Sequence, residues 1–371
     1  MAGDKVTGEA PEQLVERAFG HENRMRLLGR YFDGRPTPVT PSGAWRDIYR
    51  LLLWIHPTVG LAHCYESDKC QPGRPWYARS LAFHTWLAHE FGVTPRTLGV
   101  EIDVLFSLAV TDLAAFAATK RERSAAIAES QRQVYAPEEL PLPGEDPELI
   151  DLVNRHLAPW LRELPDPERL RNLAASVRLY VGQENKRKNI VGQGFEDTMA
   201  TILQRISAIQ RSYDIRIRPK LHDLPGFYPP KEGEDTQEVD LALVRKSDKH
   251  RTLVTCKWSF RSDREKQFPN EHTAFMNLRS NNRPFDYVLL TNEFDPARMA
   301  SVSERTRDVH PLFQTVVHVS PAALLAAYAP PAQDRSDGGI ARTRKHIANG
   351  RIQSVESWLI ALIPRDARPN R

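Results

Sequence analysis

Residues 240–271, DLALVRKSDKHRTLVTCKWSFRSDREKQFPNE, decide which fold and which chemistry the chain predicts. Two runs rich in aliphatic residues, 239–244 and 252–258, flank the polar turn 246–251. Short apolar runs bounded by turn residues are typical of strands. We therefore predict two neighbouring strands joined by a tight hairpin.

An acid and an amine fall on these two strands. Asp240 lies on the first and Lys257 on the second, and Thr255 shares a face with Lys257 because side chains alternate with a period of two. Mg²⁺ prefers carboxylate oxygens, and a nearby lysine can orient or help deprotonate a water, or stabilise charge on a phosphate. The alternative is a solvated strand pair with ordinary surface charges.

A charged cluster follows the second strand. Arg261 and Arg264 are three positions apart, so on a helical turn they project to one side, with Asp263 between them. Arginine is the usual bidentate donor to guanine, and aspartate can accept a hydrogen bond from cytosine. The cluster can therefore read G·C pairs, or it can be a salt-bridged start of a helix.

Two further acids are candidates for the same site. Glu271 lies near the start of a predicted helix, where a carboxylate also suits the helix dipole. Glu196 lies beside an apolar helical stripe in GFEDTM, and its neighbour Asp197 points about 100° away. Either acid can be a metal ligand or a solvated helix residue.

Taken together, the segment resembles the CCGG family of type II restriction endonucleases, a branch of the PD-(D/E)xK nucleases. The residues that carry the resemblance are, in order, Asp240, Thr255-Cys256-Lys257, Arg261-Ser262-Asp263-Arg264 and Glu271. Thr255 stands where most PD-(D/E)xK enzymes have an acid, which is typical of this branch. Glu196 matches the upstream helix acid of the family less closely. The resemblance covers about residues 190–320.

The resemblance implies an α/β fold with a restriction-endonuclease-like core, in which helices flank a mixed central sheet. It implies Mg²⁺ as cofactor, held by Asp240, Glu271 and Glu196 with Thr255 in support, and base reading by the arginine cluster. The expected reaction is a double-strand cut at a palindromic DNA site containing CCGG, staggered with 5′ overhangs. The expected partners are double-stranded DNA, a second copy in a homodimer or dimer of dimers, and a cognate DNA methyltransferase.

The rest of the chain predicts a mainly helical N-terminal domain, residues 1–165, for oligomerisation or DNA contact, and a catalytic domain, residues 166–371. Gly92 and Thr94-Pro95 predict the end of one helix and the start of the next, as a helical hairpin or a helix-turn-helix. His56, His63, Cys64 and Cys70 lie close in sequence but lack paired zinc-ligand spacing.

Composition sets outer limits on function. The formal net charge is +4, compatible with a polyanionic partner without being evidence for one. The sequence has neither an apolar run long enough for a membrane span nor a signal-peptide pattern, and its three cysteines do not suggest a disulfide framework, so we expect a cytoplasmic protein. The alternatives are a CCNGG-type or modification-dependent nuclease, and a non-catalytic DNA-binding regulator.

Overall fold

A six-stranded mixed sheet forms the core. The computed structural model describes residues 19–56, 60–62, 73–111, 126–128, 130–131, 146–160, 166–231, 233, 236–262, 264–280, 283–307, 309–328 and 337–365. In spatial order the strands are β10 (Ile352–Ser354), β9 (Thr315–His318), β6 (Phe285–Thr291), β5 (Arg251–Lys257), β4 (Leu241–Arg245) and β3 (Tyr213–Ile217). β3, β4 and β5 pair antiparallel, whereas β5, β6, β9 and β10 pair parallel.

Outside the central sheet, two small antiparallel pairs form. They are β1 (Trp54–His56) with β2 (Gly60–Ala62), and β7 (Thr306–Arg307) with β8 (His310–Pro311). The α-helices of the described residues include α1 (His21–Asp33), α2 (Ala44–Leu52), α3 (Pro75–Glu90), α4 (Pro147–Leu157), α5 (Pro167–Arg205), α6 (Ser207–Ser212), α7 (Gln267–Asn277), α8 (Pro296–Glu304), α9 (Pro321–Ala327), α10 (Asp337–Ala348) and α11 (Val355–Leu362).

The central strands are buried on both faces. β4 is buried from Leu241 to Val244, which agrees with its continuous apolar sequence, and β5 is buried from Arg251 to Cys256 although it includes an arginine and two threonines. Helices α7 and α8 connect successive parallel strands, as parallel pairing requires. The predicted α/β class is confirmed, and the order of one helix, three strands, one helix and one strand is consistent with a restriction-endonuclease-like core.

The chain forms two compact units, which we call the smaller unit (Met1–Leu27 with Phe106–Ile190) and the sheet unit (Leu28–Leu105 with Val191–Arg371). The described residues of the smaller unit are mostly helical. The division differs from our predicted boundary at residue 165, because residues 28–105 pack within the sheet unit. There the Tyr49 hydroxyl donates to Asn292 Oδ1 at 2.9 Å, and the Phe83 and Phe294 rings lie 4.7 Å apart.

The helix predicted to start at Thr94-Pro95 begins later, at residue 104. Helix α3 ends just before Gly92, whose φ of +69° suits glycine, as predicted. Residues 94–97 then make a turn in which the Thr94 N–H donates to Thr97 Oγ1 at 3.2 Å, followed by a short 3-10 helix at Leu98–Val100. Threonine side chains that bond to local backbone compete with helix formation. The next described helix covers residues 104–111, so the predicted helix start at Thr94-Pro95 is wrong, and the two helices are separated by more than the short turn we predict.

No helix in the described ranges combines the length and the apolar character that a membrane crossing demands.

Candidate active site

The hairpin of β4 and β5 brings an acid and an amine together. The register pairs Leu241 with Val254, which continues to place Asp240 opposite Thr255. One oxygen of Asp240, Oδ2, accepts hydrogen bonds from Lys257 Nζ at 2.7 Å, from the Cys256 N–H at 2.8 Å and from Thr255 Oγ1 at 3.2 Å. Strand pairing alone therefore orients this carboxylate and holds it against the lysine.

The charge state of Lys257 follows from its neighbours. Burial lowers the pKa of the lysine, but the charge of Asp240, the hydrogen bond to that carboxylate and the charge of Glu271 raise it more. The net pKa lies above the ordinary value. The amine is therefore a fixed cation beside the carboxylate at neutral pH.

Glu271 comes from the first turns of α7 to the same place. The Tyr287 hydroxyl, on β6, donates to Glu271 Oε2. Burial raises the pKa of Glu271, the charge of Asp240 raises it further, and Tyr287, Lys257 and Thr255 oppose the rise without cancelling it. The acid predicted downstream of the lysine thus lies within electrostatic reach of the Asp240–Lys257 pair.

Glu196 reaches the site from the part of α5 that belongs to the sheet unit. Burial raises the pKa of Glu196 to about 7, with the charge of Asp240 adding to the rise. Arg218 donates to Glu196 Oε2 at 2.5 Å through Nη1 and to Asp197 Oδ1 at 2.6 Å through Nη2. Both acids that the sequence offered as alternatives therefore bind one guanidinium.

Arg218 and Tyr287 are site residues that sequence reasoning missed. Arg218 has a φ of +47°, uncommon for an arginine, and its N–H donates to the Asp240 carbonyl oxygen at 3.0 Å. Arg218 therefore connects Asp240, which it contacts through its backbone, with Glu196 and Asp197, which it contacts through its side chain. A single arginine before Pro219 and a tyrosine within an apolar strand carry no local signal of these contacts.

Asp240, Glu196 and Glu271 carry carboxylate oxygens, the kind of ligand that a hard divalent cation prefers. The charge of Asp240 raises the pKa of both glutamates, so Asp240 repels each of them and a cation would relieve that repulsion. Among the described residues, no group of three or more His, Cys, Asp or Glu side chains forms a ready-made metal cage. Mg²⁺ commonly binds through only one or two carboxylates and keeps several waters, so an open set of acids suits it.

The predicted base-reading cluster is placed only in part. Arg261 is exposed, and it comes directly after Phe260, which ends the run of buried residues that follows β5. Arg264 opens a short 3-10 helix, Arg264–Lys266, but its side chain lies outside the described residues, as does all of Asp263. The reading role of the cluster stays a prediction.

Other predicted features have mixed outcomes. Cys256, between Thr255 and Lys257, is buried. His63, Cys64 and Cys70 lie outside the described residues, so the zinc alternative is not tested. A buried acid that the sequence analysis did not single out, Glu293, lies just after β6 with a pKa raised by burial to about 7.

Comparison with protein-family models finds no match, and neither does a search among curated proteins. Among solved structures, metal-depleted Ecl18kI in complex with uncleaved, modified DNA aligns with a TM-score of 0.34 and 10% identity, covering 98% of this chain and 88% of that chain. Metal-depleted Ecl18kI in complex with uncleaved DNA aligns with a TM-score of 0.32 and 11% identity over the same shares. Both TM-scores lie below 0.5, and a likeness this distant does not assign a function to the chain.

Proposed function

We propose that the protein is a Mg²⁺-dependent, sequence-specific DNA endonuclease of the type II restriction kind. The observation that supports this most is the 2.7 Å contact between Lys257 Nζ and Asp240 Oδ2 at the end of two neighbouring strands. Glu271 approaches this pair from α7 and Glu196 from α5. An amine among several carboxylates at the ends of two neighbouring strands suits hydrolysis of a phosphodiester.

Asp240, Glu271 and Glu196 would hold the metal, with Thr255 orienting Asp240 through its hydroxyl. When bound, Mg²⁺ supplies Lewis-acid stabilisation of charge on the scissile phosphate. Glu271 is held in turn by the Tyr287 hydroxyl, so its direction is set by the sheet rather than by solvent. Orientation by neighbouring donors is how metal-binding carboxylates are usually fixed.

The role of Lys257 follows from its raised pKa. A protonated amine cannot accept a proton from water, so charge stabilisation and water orientation are favoured over deprotonation. Its –NH₃⁺ has three donors, and one is used by Asp240. The others can point at a phosphate oxygen or an attacking water.

Specificity is proposed for Arg261, Asp263 and Arg264, as the resemblance to the CCGG family implies. Arg261 is exposed and follows shortly after Lys257, the last residue of β5. A two-fold dimer would apply the same cluster to both halves of a CCGG palindrome. Two copies of the site would each cut one strand, and the resemblance to the CCGG family implies staggered ends with 5′ overhangs.

The test is a plasmid digest with and without Mg²⁺, followed by sequencing of the fragment ends. We expect Mg²⁺-dependent cuts within CCGG, and we expect Lys257→Ala to abolish cleavage while DNA binding in a gel-shift assay is retained. Lys246→Ala is the matched control, because Lys246 Nζ donates to a backbone carbonyl, that of Gln210, on an exposed turn. Full cleavage by Lys257→Ala, or no site-specific cleavage by the unaltered protein, would reject the proposal.

A further inference from the structure

The segment 261–264 is attached to one helix at both of its ends. Before it, Phe260 is bonded to Glu293 and Arg298; after it, Glu265 is bonded to Ser301 and Arg305. We propose that Glu293 and Glu265 are positioning residues that fix this segment and thereby set the sequence discrimination of the protein. The inference rests on the proposed function.

The first anchor, at the start of the segment, is a buried carboxylate with both oxygens hydrogen-bonded. Glu293 is 0% exposed, and its Oε2 accepts from the Phe260 N–H at 3.0 Å. Its Oε1 accepts from the Asp295 N–H at 2.7 Å, at the N-cap of α8. Arg298 Nη1 donates to the Phe260 carbonyl oxygen at 2.7 Å, so both backbone groups of Phe260 are bound.

The second anchor, at the end of the segment, belongs to the same helix. Glu265 is 6% exposed, and its Oε2 accepts from Ser301 Oγ at 2.8 Å. Arg305, just after α8, approaches the same oxygen at 3.4 Å. Because a helix is rigid, the two ends of the segment keep a constant separation.

The residues that lead into this helix are bonded just after the strand that bears Lys257: the Asn292 N–H donates to the Trp258 carbonyl oxygen at 2.9 Å. The first residue of the helix is also bonded to α10, where Thr343 Oγ1 donates to the Pro296 carbonyl oxygen at 2.8 Å. The anchors therefore relate the two ends of the segment to Lys257 through backbone and buried side-chain contacts. Burying acids is unfavourable unless their geometry is satisfied, and such groups are often retained for structural specificity.

Substitution at the two anchors has different chemical effects. Glutamine at 293 has a single oxygen, so its amide nitrogen must face the N–H of either Phe260 or Asp295 and one anchor bond is lost. At 265 the described contacts use one oxygen, so glutamine keeps the bond to Ser301 and alanine removes it. Glu265→Gln is therefore a conservative counterpart to Glu265→Ala.

The experiment compares kcat/KM on a duplex containing CCGG with kcat/KM on duplexes that differ by one base pair within it. The discrimination ratio is kcat/KM on the CCGG duplex divided by kcat/KM on an altered duplex. We expect Glu293→Gln and Glu265→Ala to lower this ratio roughly tenfold or more, which is the scale of one base contact. We expect Glu265→Gln to keep the ratio within about threefold of that of the unaltered protein. Asp47→Asn is the matched control: Asp47 is 1% exposed and bonded to Tyr31 and Arg35 of the same unit, so its ratio should not change.

Circular dichroism and thermal unfolding establish that each variant is folded; if Glu293→Gln is not, the Glu265 pair decides. A ratio that stays unchanged while kcat/KM falls equally on every duplex overturns the positioning role and leaves the proposed function intact. Absence of site-specific cleavage by the unaltered protein overturns both. A lower ratio in Glu265→Ala that Glu265→Gln restores supports the inference.

Discussion

Replacing Arg218 by methionine should destabilise the protein strongly, because one guanidinium serves two buried acids. Asp197 is 0% exposed and Glu196 is 9% exposed, and Arg218 donates to both. Removing one partner of a buried pair typically lowers the free energy of unfolding by about 3–5 kcal/mol. The Arg218 side chain is 23% exposed, so we expect the lower end of that range at pH 8, about 3 kcal/mol.

The loss should be smaller in acid. Glu196 has a pKa of about 7 in the native protein, and the contacts with Arg218 hold that pKa down. Without Arg218 the pKa rises further, so at pH 5 Glu196 is neutral and no longer needs a cation. Part of the deficit therefore disappears between pH 8 and pH 5, and the part due to Asp197 remains.

The assay is urea unfolding followed by circular dichroism at both pH values. Arg216→Met is the matched control, since Arg216 pairs with Asp214 where both side chains are about half exposed, and such pairs contribute about 0–1 kcal/mol. The reasoning would be refuted by a loss in Arg218→Met no larger than in the control, or by a loss that grows on acidification.

Three further outcomes are expected. Arg261→Ala should reduce discrimination between CCGG and single-base variants by about 1–3 kcal/mol in gel-shift competition, and unchanged discrimination would remove its reading role. Tyr287→Phe deletes the hydroxyl donor to Glu271, and a hydrogen bond to a charged group contributes about 1.5–3 kcal/mol. We therefore expect kcat to fall at least about tenfold while DNA affinity is retained. An unchanged kcat would show that this hydrogen bond is not needed. Glu293 has a pKa raised to about 7, so its contribution to stability is fully present below its unfolded pKa of about 4.3 and is lost as pH rises through 7. Thermal unfolding should therefore show a steeper stability loss from pH 5 to pH 8 in the unaltered protein than in Glu293→Gln; equal slopes would contradict this.

Local pattern sufficed for much of the sheet. The runs predicted as strands at 239–244 and 252–258 are observed at Leu241–Arg245 and Arg251–Lys257, because alternation, branching and a polar turn act within a few residues. The proximity of Asp240 and Lys257 follows from that same hairpin. The helix predicted to start near Glu271 is observed at Gln267–Asn277.

Several site residues depend on contacts between distant parts of the chain. Arg218 meets Glu196 across a separation of 22 positions, and Phe260 meets Glu293 across 33. No periodicity or spacing rule encodes such pairs. The sequence does not predict that residues 28–105 belong to the sheet unit, for the same reason. The apolar face of an amphipathic helix shows that the helix packs against a partner, but it does not show which partner.

The sequence by itself determined the α/β class, the strand hairpin and the meeting of one carboxylate with one amine, because these depend on neighbours along the chain. Only the tertiary structure decided which groups surround that pair: the guanidinium on Glu196, the hydroxyl on Glu271 and the buried acids that fix the segment after β5. The physical reason is that backbone periodicity acts locally, whereas the charge and hydrogen bonding of a buried group are satisfied by whichever residues the packed chain brings to it.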